Sequence, residues 1–352
     1  MTRVGVRVAL GLLAFGLLLP AALRADDAKA GVQVVRHDAE RRVDIAIDGL
    51  PFTSYIWPEV LTRPVLFPLR NDRGTAVTRG FPLEPRPGER TDHPHHVGLW
   101  LSYGDVNGVD FWNNSTALPP DQQAKMGRGR HVKIVLAESG SKEGRLQVAI
   151  EWVMPDGSVA LDEDTTFVFR GGAGQRLVDR TTRLTARVTP VRFADNKEGF
   201  LGLRVARGLE HPSTEAATFT DAAGRATAVA VLDNTGVTGR YRSSEGKEGD
   251  DVWGTRGRFV ALSGRLADED VTVALFDHPE NPGAPTYWHA RGYGLFAANP
   301  LGQAVFSNGR EALNLTLAPG ASALFRWRLA ILSRDYGAAE IEALAKELAG
   351  GR

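Results

Sequence analysis

The sequence predicts an all-β chain, a large antiparallel β-sandwich followed by one C-terminal amphipathic helix. Three observations carry this. From Val32 onward apolar residues recur with period two, and Pro-Asp-Gly and Asn-Thr-Gly turns separate the runs. Over a dozen such runs follow one another, enough for two packed sheets. Only "GAAEIEALAKELAGG" breaks the period: Ile341, Leu344, Ala345 and Leu348 fall at helical spacing, with Gly350 and Gly351 as a stop.

Taken in order, the first element is expected to be removed. "MTRVGVRVALGLLAFGLLLPAALRADD" opens with Arg3 and Arg7, continues through an apolar run from Val8 to Leu19, and ends in Pro20 and small residues up to Ala25. These are the three parts of a secretory signal, and the run falls short of the roughly 20 apolar residues of a spanning helix. Residues 1–25 are therefore read as a signal peptide and 26–352 as a single domain, periplasmic or secreted. The sandwich is expected from about residue 30 to about 335. Its strands include "RRVDIAIDG", "HVKIVLAE", "RLQVAIEWVMPDGSVALDEDTTFVF" and "DVTVALFDHP". Between Arg63 and Glu89 prolines recur and alternation lapses, which predicts an ordered loop. Lys-Glu-Gly occurs at 142–144, 197–199 and 247–249 and is expected to mark hairpin turns. The last element is the helix at roughly 338–349.

Composition excludes several classes. The chain has 42 basic and 42 acidic residues, and loss of Arg3, Arg7 and Arg24 with the signal leaves 39 against 42. That balance offers no footprint for nucleic acid, nor for a membrane once the signal is gone. No protein partner is implied. There is no cysteine, so an exported form depends on its core rather than on disulfides.

Three polar segments stand out from the strands. In "TDHPHHVGLWLSYGDVNGVDFW", residues 91–112, His93, His95 and His96 lie beside Asp92. Pro94 biases His93 toward extended backbone, and in a regular strand His93 and His95 would share one face. Asn107 follows in a Gly/Asp turn, and Trp100 and Trp112 offer apolar plates for sugar stacking, or core. In "FADNKEGFLGLRVARGLEHP", Lys197 and Glu198 stand before a strand containing Arg204. In "FDHPENPGAPTYWHARGYGLFAANPLG", Trp288, His289, Arg291, Tyr293 and Asn299 crowd among glycines and prolines, a density of polar groups that reads as a binding loop.

These blocks, with "VWGTRGRFV", resemble in residues and order the bacterial family DUF6807, also called the PmoA family. The methane-oxygenase label attached to that family is set aside, because a true methane monooxygenase subunit crosses the membrane repeatedly and this chain has no such span after its signal. The resemblance implies a galactose-mutarotase-like supersandwich and a role in carbohydrate catabolism beside sugar oxidoreductases. By that resemblance His95, His96, Glu198 and His289 are the catalytic candidates. Asp92, His93, Asn107, Trp112, Lys197, Arg204, Trp288, Arg291, Tyr293 and Asn299 are the substrate-binding candidates.

Histidine beside a carboxylate suits general acid/base chemistry near neutral pH. The expected function is thus an exported enzyme acting on a sugar or modified (keto) glycoside, lyase or hydrolase in preference to epimerase. The sequence requires no cofactor, but a divalent metal stays open through a cupin-like alternative with His93 and His95 as strand ligands, completed by Glu198 and His289. A non-catalytic carbohydrate-binding protein is the third reading. The three polar segments are expected to meet in one concave site, because charged and imidazole groups held among tryptophans are costly unless they satisfy one another or a ligand.

Overall fold

The computed structural model describes residues 30–350; the expected signal segment lies outside them. Two eight-stranded antiparallel sheets face each other. The first runs, from edge to edge, Val32–His37, Arg42–Ile47, Leu50–Ile56, Val65–Leu66, Leu99–Tyr103, Gly199–Arg204, Leu295–Asn299 and Tyr287–Arg291. The second runs Arg240–Ser243, Phe259–Leu266, Glu269–Asp277, Ser322–Leu332, Gln175–Ala186, Val159–Gly172, Gly144–Val153 and Arg128–Glu138. The large antiparallel sandwich is therefore as the periodicity predicts, and the supersandwich is as the resemblance implies.

Alternation decides what each face does. Val43, Ile45, Leu99, Leu101, Leu203, Phe296 and Trp288 of the first sheet pack against Leu146, Val148, Leu184, Val260, Leu275 and Phe325 of the second in one apolar cluster. The helix, Ala338–Gly350, covers the outside of the second sheet, burying Ile341 and Leu348 against Phe259, Phe276, Ala330 and Leu332. Among the described residues the outside of the first sheet has no long helix, only the one-turn helix Gln303–Phe306 at its edge, where Phe306 meets Tyr287 and His289. A smaller cluster there, including Trp100, Trp112, Phe67, Val97, Leu295 and Ala297, supports the polar segments instead.

Two local expectations are corrected. Residues 91–98 are a turn rather than a strand entry: the His96 amide donates to the His93 carbonyl at 3.0 Å, and His93 has φ of 44°. His93 and His95 therefore do not share a strand face. Of the Lys-Glu-Gly sites, 142–144 connects two hairpin strands, whereas 197–199 leads directly into the Gly199–Arg204 strand at the centre of the first sheet.

Candidate functional site

The outer face of the first sheet is a platform whose rows follow from strand register. Trp100, Gly202, Ala297 and His289 are successive cross-strand partners, so the row has a ring at each end and two small residues between. Arg204, Leu295 and Arg291 form the next row. Gly202 is required by close approach, because a Cβ there would lie 2.6 Å from Trp100 Cζ2 and 2.8 Å from Trp112 Cη2.

The Asp92–His96 turn lies over this platform, held by a residue outside the expected set. Arg79 is 1% exposed and donates to the carbonyls of Arg90, Asp92, His93 and His96 and to Asp92 Oδ1. These carbonyls would pair in a ladder if the segment were a strand; one guanidinium gathers them into a turn instead. The turn sets four rings face to face. Tyr293 stacks on His93 at 5.1 Å, His93 on His96 at 4.8 Å, and His96 on Trp100 at 5.1 Å. Offset ring pairs of this kind contribute about 0.5–1.5 kcal/mol each beyond their buried area.

Arg204, fully buried, ties the segments together. Its Nη2 donates to Asp92 Oδ1 at 2.6 Å, its Nη1 donates to His96 Nδ1 at 3.3 Å, and its guanidinium carbon lies 4.8 Å from the centre of the Tyr293 ring. Because His96 Nδ1 accepts, its proton resides on Nε2, a buried nitrogen with no partner. Burial, reinforced by His95 and Arg204, holds the His96 pKa well below the ordinary imidazole value. Burial opposes the charged form of Asp92, but the His93 contact and the charges of Arg204 and Arg79 outweigh it and keep this carboxyl well below the usual range. His93 Nδ1 lies 3.1 Å from Asp92 Oδ2, though without hydrogen-bond alignment.

His289 joins the second and third segments. Its Nδ1 donates to the Lys197 carbonyl at 2.9 Å, and Asn299, itself buried, donates to the carbonyls of Asn196 and Lys197. This fixes the tautomer: Nδ1 carries the proton and Nε2 presents a lone pair, with no protein partner among the described residues. Glu198 Oε2 is 4.0 Å from His289 Nδ1, and Glu198 Oε1 is 3.0 Å from Lys197 Nζ. Burial first, then the charges of Arg291 and Lys197, push the His289 pKa down to about 3. His95 is pushed to about 2, again chiefly by burial. Both rings are neutral at ordinary pH, which corrects the expectation of histidines titrating near neutrality.

The three segments thus meet, but not every candidate residue is in the meeting. Asn107 is a loop clamp: Nδ2 donates to the Pro190 carbonyl and Oδ1 accepts from the Arg192 amide. Trp100, Trp112 and Trp288 are each 0% exposed, so none is a plate for a sugar ring. Trp288 follows from alternation, since a residue next to His289 on a strand faces the other side, where its Nε1 donates to the Gly257 carbonyl. His95 meets the His96 ring edge-on and lines a separate small cavity of about 110 Å³ with Phe81, Pro82 and Ser115. Lys197 and Arg291 remain at the open side, with Arg291 over the ring of Trp253 at 5.4 Å.

For a metal, His289 Nε2 and the Glu198 carboxylate are the available donors. His93 and His96 stack in parallel, so their nitrogens do not converge, and among the described residues no three His, Asp or Glu side chains are grouped to hold an ion. His93 and His95 lie edge-on with ring centres 5.6 Å apart, and Glu198 and His289 are not grouped with them among the described residues.

A model of the family of unknown function DUF6807 matches residues 42–346. The chain belongs to this family. No curated protein matches the DUF6807 chain. Among solved structures it is similar to the galactosidase domain of the alpha-galactosidase-sucrose kinase AgaSK, at TM-score 0.38 and 9% identity, over 85% of this chain and 42% of that one. It is also similar to galactose 1-epimerase from Lactobacillus acidophilus NCFM, at TM-score 0.35 and 9% identity, over 87% of this chain and 100% of that one. A third is the Slr1438 protein from Synechocystis sp. PCC 6803, at TM-score 0.30 and 8% identity, over 87% and 97%. The DUF6807 chain spans less than half of the first of these.

Proposed function

We propose that the DUF6807 chain is an exported carbohydrate-active enzyme whose site is the outer face of the first sheet. It acts by acid/base chemistry on a sugar or modified (keto) glycoside, as a lyase or hydrolase in preference to an epimerase. The observation that carries this reading is the fixed His289 tautomer beside Glu198. A neutral imidazole with Nε2 free accepts a hydrogen bond from a sugar hydroxyl and orients it, and Glu198 is the carboxylate near enough to exchange a proton with the same substrate. The substrate class comes from the family resemblance. His93, His96, Asp92 and Arg204 form the wall of the site in this reading, since Arg204 ties Asp92 to His96 and the His93 ring stacks on His96.

The test is a screen of oxidised and unoxidised glycosides with the full chain, scored by new reducing ends and by enone absorbance. Once turnover is found, His289→Ala and Glu198→Gln should each lower kcat by on the order of 10² to 10⁴-fold. The reading fails if both variants keep their full rate. Metal analysis of protein purified without chelator, followed by chelation during turnover, separates this mechanism from a metal-dependent one.

A further inference from the structure

Next to His289 the platform opens into a cleft of about 410 Å³, a size that accommodates one or two sugar rings. Its walls include Arg291, Trp253, Tyr293, His211 and Arg90. We propose that this cleft takes the anionic substituent of an acidic sugar, so that the substrate of this enzyme carries a carboxylate or sulfate recognised by Arg291. The proposal rests on the carbohydrate reading above and adds the charge of the substrate to it.

Four observations support it. The first is an unspent guanidinium. Arg90 is paired with Glu210 at 2.7 Å and Arg204 with Asp92, whereas the Arg291 guanidinium has no hydrogen bond or ion pair among the described residues and lies over the Trp253 ring. Guanidinium geometry matches a carboxylate or sulfate through two parallel N–H donors. The second is the Trp253 ring beneath it, 39% exposed while Trp100, Trp112 and Trp288 are wholly buried. An exposed indole in a cleft provides the apolar plate that a sugar face needs. The third is His211, whose Nδ1 faces Asp250 Oδ1 at 3.1 Å while Nε2 is buried without a partner. With Nδ1–H held by the carboxylate, Nε2 carries the lone pair, and the ring forms part of the cleft wall.

The fourth is spacing. Arg291 and His289 are two residues apart on one strand, so both lie on the outer face of the sheet, about 7 Å apart along it, with Arg291 lining the cleft and His289 beyond its wall. That is near the length of one pyranose ring, which sets an acid group at Arg291 and the reacting end at His289 and Glu198. The charge of Arg291 is also one of the influences that depress the His289 pKa, after burial. An anion bound at Arg291 cancels that influence and raises the basicity of His289 when substrate is present. Glu215 and Asp250 also line the cleft, and Asp250, with its side chain 84% exposed, is largely solvated.

Calorimetric titration of the full chain with glucuronate, galacturonate, glucose, galactose and glucose 6-sulfate tests this. The acidic sugars are expected to bind at least tenfold tighter than the neutral ones. The sulfate arm shows whether carboxylate or sulfate is preferred. Arg291→Ala should abolish the preference and Arg291→Lys should retain part of it, with unchanged circular dichroism in both. Trp253→Ala should weaken acidic and neutral sugars alike. Equal affinity for acidic and neutral sugars, or an undiminished preference in Arg291→Ala, overturns the inference and leaves the carbohydrate reading in place. Absence of binding by every sugar tested, together with no turnover of any glycoside, removes both.

Discussion

Arg204 and Asp92 lie 112 residues apart in the chain and meet at 2.6 Å on the outer face of the first sheet. The carboxylate also accepts from Arg79, so one partly exposed acid serves two buried cations. Asp92→Asn removes the carboxylate that both guanidiniums contact, leaving only the more distant charges of Glu210 and Glu89, and should cost about 3 kcal/mol, the low end for a broken buried pair. The sign of the pH effect follows from its lowered pKa. The stabilisation is present above the unfolded value near pH 4 and is lost as pH falls below it. Urea unfolding at pH 7 and pH 3 should show the wild-type advantage shrinking at the lower pH; an equal gap at both would refute the assignment.

A second pH dependence comes from His95, His96 and His289, all held neutral by burial. In the unfolded chain each takes a proton as pH drops through about 6.5, while the folded protein does not. Stability is therefore full above that pH and falls below it, by about 1.4 kcal/mol per pH unit for each ring. Asp277, raised to about 7 by burial, acts in the opposite sense and offsets one of the three. His95→Gln should flatten the curve between pH 6 and pH 4 by one proton; an unchanged slope would show that His95 titrates in the folded state.

Gly202 gives a steric prediction. Alanine there drives a methyl group into Trp100 and Trp112, and overpacking of this kind costs roughly 1–3 kcal/mol. Because Trp100 carries the ring stack, near-ultraviolet circular dichroism should change along with the midpoint. A variant as stable as wild type with an unaltered spectrum would mean the rings yield easily.

Arg79→Lys keeps the charge but loses the planar fork that gathers four carbonyls. The expected result is faster amide exchange confined to residues 90–97 and a stability loss of about 2 kcal/mol. Exchange rates there equal to wild type would remove Arg79 from its place as organiser of the turn.

Legibility in the sequence followed the kind of force involved. Period-two patterning foretold the sheets, and 3.6 spacing of Ile341, Leu344 and Leu348 foretold the helix, since burial acts on nearest neighbours along the chain. His289, Glu198 and Arg204 could be picked out because charged groups next to apolar strands need partners. Alternation also held the answer for Trp288, which cannot share a face with His289. Arg79 was not legible. Its place is set by carbonyls from 11 to 17 residues away, and a lone arginine in a Pro-rich loop gives no sign of them. The left-handed backbone of His93 was hidden for the same reason, as the local bias of Pro94 loses to those long-range hydrogen bonds.

Within the Tyr287–Arg291 strand, Trp288 and Ala290 belong to the inter-sheet cluster while Tyr287, His289 and Arg291 face outward. Adjacent positions thus answer to separate demands, and a change at one leaves its neighbour's surroundings almost untouched. An outward position such as 291 could therefore change while His289 kept its place and the intervening residues kept the sheets joined. Relatives of this chain should then vary in a comb pattern along this strand, most at the outward positions other than 289 and least at 288 and 290.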